Sequence, residues 1–158
     1  MRSLANHLLT VVMLLAGLYG CDSTRVFDQY REIPDSTWHK DSIVIFQIPV
    51  YDTLQSHNLL IQIRNETSYR FSNLWLFIEI TQPDGQTFRD TFEVVLAETS
   101  GRWLGEGYGG LKTRQAMYRR NVTFPHSGKI TVAIQHGMRE ENLEGIHDVG
   151  FRVETASP

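Results

Sequence analysis

Cys21 is the only cysteine of the chain, so its thiol has no partner for an internal disulfide. Its setting points to acylation instead. The string Leu18-Tyr19-Gly20-Cys21 resembles a bacterial lipobox. In that chemistry the thiol takes a diacylglyceryl group, the peptide bond before it is cut, and the freed amino group is acylated. Arg2 supplies a positive start, and Leu8 to Leu18 is apolar except for Thr10 and Gly17, the build of an export signal. Such a run is too short to span a bilayer, which takes about 20 apolar residues. The alternative is an ordinary signal peptide followed by a free cysteine, which leaves an exposed thiol without a use.

The remaining residues offer little catalytic chemistry. "GEGYGG", Gly105 to Gly110, matches G-x-G-x-x-G. A dinucleotide site needs a strand before it, a helix after it and an acidic residue about 20 positions on. No acidic residue occurs between Glu106 and Glu140. The glycines are read instead as permitting tight turns beside Trp103 and Tyr108. His39, His57, His126, His136 and His147 show no metal-ligand spacing and are read as surface histidines. His147-Asp148 beside His136 is the one pairing of note. No G-x-S-x-G is present, and no carboxylate pair is marked out by an apolar setting. No catalytic, metal-binding or cofactor-binding residue is therefore expected.

Two other patterns carry chemistry of a different kind. Between Gly107 and Arg139 stand Lys112, Arg114, Arg119, Arg120, Lys129 and Arg139, with no Asp or Glu. With Tyr108, Lys112, Arg114, Arg119, Arg120 and Arg139 form a candidate partner surface, a basic band suited to an acidic partner. The competing reading has acidic side chains of neighbouring strands neutralising the band. Separately, Asp22-Ser23-Thr24, Asp35-Ser36-Thr37, Asp41-Ser42-Ile43 and Asp52-Thr53-Leu54 each resemble the O-glycosylation acceptor of exported Bacteroidetes proteins. Ser23, Ser36, Ser42 and Thr53 are the candidate acceptors.

The elements that position these groups have period two from Asp41 onward. Val44, Phe46 and Ile48 share a face, as do Leu59, Ile61 and Ile63. Leu74, Leu76, Ile78 and Ile80 point one way, with Trp75 and Phe77 on the other. Phe88, Phe92, Val94 and Leu96 follow, with Asp90 interrupting their face. Ile130, Val132 and Ile134 alternate, as do Val149, Phe151 and Val153. Pro83-Asp84-Gly85 and Pro125-His126-Ser127-Gly128 are turns. "LKTRQAMYRR" is read as a helical turn or two within a long connection from Gly101 to Arg120. The result is an all-β protein, an antiparallel β-sandwich of jelly-roll type with roughly seven to eight strands. Leu76, Ile78, Phe92, Val94, Val132, Ile134 and Phe151 are expected between its sheets. The chain divides into a lipoprotein signal peptide (1–20), a lipid-anchored tether that docks on the domain (21–40) and the sandwich (41–158). No segment besides the signal is apolar and long enough to approach a membrane span.

Several stretches then line up with one family. They are "CDSTRVFDQY", "WHKDS", "FSNLWLFIEI", "PDG" with "DTFEVVLA", "GRWLGEGYGGLK", "FPHSGKITVAIQHGMR" and "LEGIHDVGFRVE". Together they resemble the gliding-motility lipoprotein GldH family of the Bacteroidetes across essentially the whole chain. The resemblance implies a part in gliding and in the linked type IX secretion machinery, beside other anchored lipoproteins, and no enzymatic activity. The residues after Cys21, Asp-Ser-Thr-Arg-Val-Phe, lack the acidic cluster that surface lipoproteins of the Bacteroidetes tend to carry there, which favours lipid anchoring at the outer membrane with the domain facing the periplasm. Nucleic acid is excluded as a partner by compartment. Two other readings stand beside this one: a glycan-binding jelly roll with Trp38, Trp103 and Tyr108 as stacking residues, and a hydrolase on the same sandwich.

Overall fold

The structure is a computed structural model, and it describes residues 24–156. The signal segment, Cys21 and Ser23 lie outside the described residues. Ten strands follow in chain order: β1 (Arg25–Glu32), β2 (Thr37–His39), β3 (Val44–Val50), β4 (His57–Glu66), β5 (Asn73–Thr81), β6 (Thr87–Val95), β7 (Leu111–Val122), β8 (Gly128–His136), β9 (Asn142–Glu144) and β10 (Ile146–Thr155). Eight of them build two four-stranded sheets, ordered β1-β10-β4-β7 and β3-β8-β5-β6. All their pairings are antiparallel. Only the β5–β6 hairpin joins sequence neighbours within a sheet; every other connection crosses to the opposite sheet. That is jelly-roll connectivity. The short β2 and β9 pair separately and close one end.

Side-chain alternation decides which face enters the core. In β3 the pattern is strict: Val44, Phe46, Ile48 and Val50 are buried, and the residues between them are exposed. Pro49 sits in β3 because β3 is an edge strand, where a missing N–H costs no ladder bond. Leu76, Ile78, Val94, Val132, Ile134 and Phe151 are all buried, as expected. Phe92 is only half-buried, because β6 lies at a sheet edge and Phe92 packs edge-on against Tyr118 of the opposite edge strand, ring centroids 5.2 Å apart. Phe88 is exposed for the same reason.

Two segments differ from the sequence expectation. Residues 25–39, expected within a docked tether, contribute β1 and β2. β1 pairs with β10 along its length and buries Phe27 against Phe46. Backbone pairing with β10 overrides the weak alternation of "RVFDQYRE". "LKTRQAMYRR" is not helical but most of β7, paired with the central strand β4. Its polar residues are tolerated because β7 is an edge strand with one free side.

β4 and β10 are buried on both faces. On the outward side Tyr30 covers Gly150, whose missing side chain makes the room: a Cβ there would stand 2.8 Å from Gln62 Oε1 and 2.9 Å from the Tyr30 ring. The Arg64 guanidinium lies over the Tyr30 ring at 4.8 Å and pairs with the buried Asp148 at 3.0 Å. His57 and His136 are also buried, contrary to their reading as surface groups. His136 packs edge-on against the fully buried Trp38, with the centroids 5.4 Å apart.

Candidate functional site

The basic band maps largely onto β7 and is spread along it. From Lys112 to Arg120 the strand runs about 25 Å. Lys112 donates to the Gly107 carbonyl at 2.8 Å, and Arg114 donates through Nε to the Val95 carbonyl at 3.3 Å. Arg119 donates to Asp90 of β6 at 2.5 Å and stacks over Tyr118 at 5.3 Å. Arg120 and Arg139 are exposed and carry no ion pair among the described residues. An acidic neighbour thus answers one of the band's arginines, and the apparent run of cations is divided among separate contacts.

Asp90 has its explanation in the same place. It interrupts the inward face of β6 where the β6 and β7 edges leave the sandwich open. A cleft of about 390 Å³ lies there, floored by Leu59, Ile80 and Phe124 and walled by Phe88, Tyr118 and Arg119. Burial pushes the Asp90 carboxyl up, but the Arg119 guanidinium, the Thr91 N–H and the Tyr118 hydroxyl outweigh it and hold the group below its ordinary value.

The glycine-rich loop folds back on the start of β7. Glu106 and Thr113 exchange backbone hydrogen bonds of 3.0 and 2.7 Å. A Cβ at Gly105 would stand 2.9 Å from the Thr113 carbonyl carbon, and one at Gly107 2.6 Å from the Leu111 oxygen. The glycines therefore permit close backbone approach, and the loop enters a strand instead of the helix that a phosphate cradle requires. Tyr108 stands fully exposed at its tip.

The aromatic trio of the glycan reading does not assemble. Trp38 is buried and donates through Nε1 to the Ser42 carbonyl at 2.9 Å, and Trp103 is packed against the core. Of the glycosylation candidates, Ser42 is exposed, whereas Ser36 and Thr53 are half-buried. Ser36 also engages the Glu66 carboxylate. Among the described residues no group of His, Cys, Asp and Glu could hold a metal ion. His147 Nδ1 and the Arg64 guanidinium both meet the Asp148 carboxylate, at 2.7 and 3.0 Å, so that pairing is a local polar contact of the sheet.

A further surface feature was only half legible in the sequence. On the outer face of the β3-β8-β5-β6 sheet, Ile43, Ile45, Trp75 and Phe77 are 55, 49, 40 and 51 % exposed. Phe77 lies across Gly137, where an added Cβ would meet its ring at 3.1 Å. The Trp75 N–H points to the Met138 sulfur at 3.4 Å. Beside them runs a groove of about 600 Å³ with Ala133 and Gln135 in its floor and the Glu79–Arg89 pair at its rim. Alternation had already put Trp75 and Phe77 opposite the core. That no layer of the described residues covers them became visible only in the fold.

By its described residues the protein is an all-β, two-sheet sandwich of jelly-roll connectivity, with large apolar side chains exposed on the outer face of one sheet. The chain belongs to the GldH lipoprotein family, whose model matches residues 25–153. It is 44 % identical over 141 residues to a gliding motility lipoprotein GldH homolog of Christiangramia forsetii, covering 85 % of this chain and 86 % of that one. It is 41 % identical over 152 residues to the gliding motility lipoprotein GldH of Flavobacterium johnsoniae, covering 90 % and 94 %. These relatives support a role in gliding motility and membrane attachment through a lipid. Solved structures are more distant. The infectious bursal disease virus VP2 subviral particle gives a TM-score of 0.36 at 14 % identity, over 85 % of this chain and 34 % of that one. Dimeric latent PorU from Porphyromonas gingivalis gives 0.36 at 11 %, over 86 % and 14 %.

Proposed function

We propose that the chain is a lipid-anchored structural and assembly protein that supports gliding motility and the linked type IX secretion machinery. Acyl chains on Cys21 hold it at the outer membrane, the sandwich faces the periplasm, and it acts through contacts with other lipoproteins of the machinery. One observation carries the choice of contact over catalysis: among the described residues Ile43, Ile45, Trp75 and Phe77 stand exposed on the outer face of one sheet, beside a groove with Ala133 and Gln135 in its floor. Exposed apolar patches rimmed by polar groups mark protein contacts, and aromatic residues dominate their energetics. Tyr108, Arg120 and Arg139, which the fold leaves accessible, supply a polar component; Arg119 is occupied by Asp90.

The test is a Trp75→Ser/Phe77→Ser replacement in the protein's own cells. Both side chains are outside the core, so folding and anchoring should persist. Gliding, secretion of type IX cargo and co-purification of the other gliding lipoproteins should all fall. A folded, anchored double variant with normal motility and secretion rejects this face as the working surface.

A further inference from the structure

We propose that the end of the sandwich formed by the β3–β4 loop rests on the same lipid leaflet that holds the acyl chains, with Tyr51 and Leu54 seated at headgroup depth. The proposal depends on acylation of Cys21. Its first ground is reach. Only three residue steps separate Cys21 from Thr24, about 11 Å even when fully extended. The Thr24 carbonyl accepts the Thr155 N–H at 2.7 Å, and the Ala156 N–H donates to the Ser56 carbonyl at 2.8 Å. The chain therefore meets the membrane beside the loop 51–56. The turns 82–86 and 123–127 lie at this same end, as the strand directions require.

The second ground is what that loop displays. Tyr51 is 87 % and Leu54 90 % exposed, and Val26 beside them is 50 % exposed. The display is fixed by hydrogen bonds. The Asp52 carboxylate turns back to accept the Leu54 N–H at 2.8 Å and the Gln55 N–H at 3.2 Å. That bonding turns the carboxylate back onto the loop's own backbone and fixes the turn that displays Leu54. Tyrosine has an apolar ring and a polar tip, which suits it to the headgroup layer, and leucine suits the acyl boundary. No Lys or Arg lies between Pro49 and Asn58, so the loop's own contact is apolar insertion, with Arg25, Arg120 and Lys129 exposed on the neighbouring strands of the same end. The opposite end, with the glycine-rich loop, Tyr108 and the β2–β9 ribbon, then stands about 30 Å from the leaflet, and the apolar sheet face rises between them.

The experiment uses the mature acylated chain in phosphatidylethanolamine/phosphatidylglycerol vesicles. Acylation of Cys21 leaves an introduced cysteine as the only free thiol. L54C and, as the far-end control, Y108C are each labelled with an environment-sensitive fluorophore. Flotation with vesicles reads the anchor, and the label reads the loop. The proposal expects blue-shifted emission at L54C, several-fold lower iodide quenching than at Y108C, and quenching by spin-labelled lipid, all unchanged in high salt. A chain that floats while its L54C label is as wet as the Y108C label overturns the loop contact and leaves the anchor standing. A chain that does not float overturns both. A label shielded in whole cells but wet on vesicles assigns the loop to a protein partner and also overturns the proposal.

Discussion

Asp90 and the two buried histidines all resist protonation in the fold, so they move stability in one direction. The Asp90 carboxyl, held low by Arg119, Thr91 and Tyr118, binds a proton less readily in the fold than in the unfolded chain. Its contribution is present above the ordinary carboxylate range and is lost as the pH falls through the depressed value. Because the Asp90–Arg119 pair is about half exposed, it contributes under about 1 kcal/mol. His57 and His136 are pushed below 6.5, in both cases chiefly by burial. For them too the unfolded chain binds more protons, so stability is full above about pH 6.5 and declines as the pH falls below it toward the lowered folded value. The melting temperature should accordingly drop between pH 7 and pH 5. His136→Gln should flatten that slope whatever it does to the absolute melting temperature. An unchanged slope in His136→Gln and His57→Gln alike would show that the imidazoles do not titrate with unfolding.

β1 shows most plainly what an element adds beyond its own sequence. A tether docked on the surface could lose a side chain at little cost. As a strand paired with β10, β1 places Phe27 in the core against Phe46. Phe27→Ala should therefore cost about 3 kcal/mol, the low end of the range for buried phenylalanine. The denaturant midpoint checks it; a shift worth under 0.5 kcal/mol, the size usual for surface changes, would return the segment to the status of a tether. The strands that alternate cleanly, β3, β5, β8 and β10, were legible because one face of each meets only core. β7 was not, since Lys112, Arg114 and Arg119 occupy an edge strand whose contacts run to Gly107, Val95 and Asp90. β1 hid for a related reason: the partner that makes it a strand lies more than 100 residues further along the chain, and Tyr30 lies flat on the outer face only because Gly150 yields space to it. The site was legible in its ingredients alone. Trp75 and Phe77 were correctly placed opposite the core, but solvent on that face is a property of the sandwich. The grouping of cations along the chain, conversely, overstated their grouping in space.

At the scale of the whole molecule, folding and anchoring are separable, and orientation links them. The core is built from residues between Phe27 and Ala156, so the lipid contributes nothing to it. Cys21→Ala should leave the melting temperature of the domain unchanged and move the protein into the soluble fraction. Two or three acyl chains, at about 0.8 kcal/mol per buried CH₂, hold far more strongly than one exposed leucine and one tyrosine can. A Cys21→Ala protein that still sediments with membranes after a salt wash would show that something other than lipid retains it. The linker supports a finer prediction. With acyl chains on Cys21, as proposed, only three residue steps would join the anchor to Thr24, and the outer face of the second sheet would be presented in a restricted orientation. Inserting about 12 Gly and Ser residues there would lengthen the tether by roughly 20 Å on average while sparing every contact in the fold. The inserted protein should remain anchored and folded, with an unchanged melting temperature, but gliding speed should fall because the face no longer meets its partner at a fixed height. Colony spreading and single-cell gliding at wild-type levels, with anchoring verified, would show that the partner tolerates any orientation and that the short tether carries no positional information.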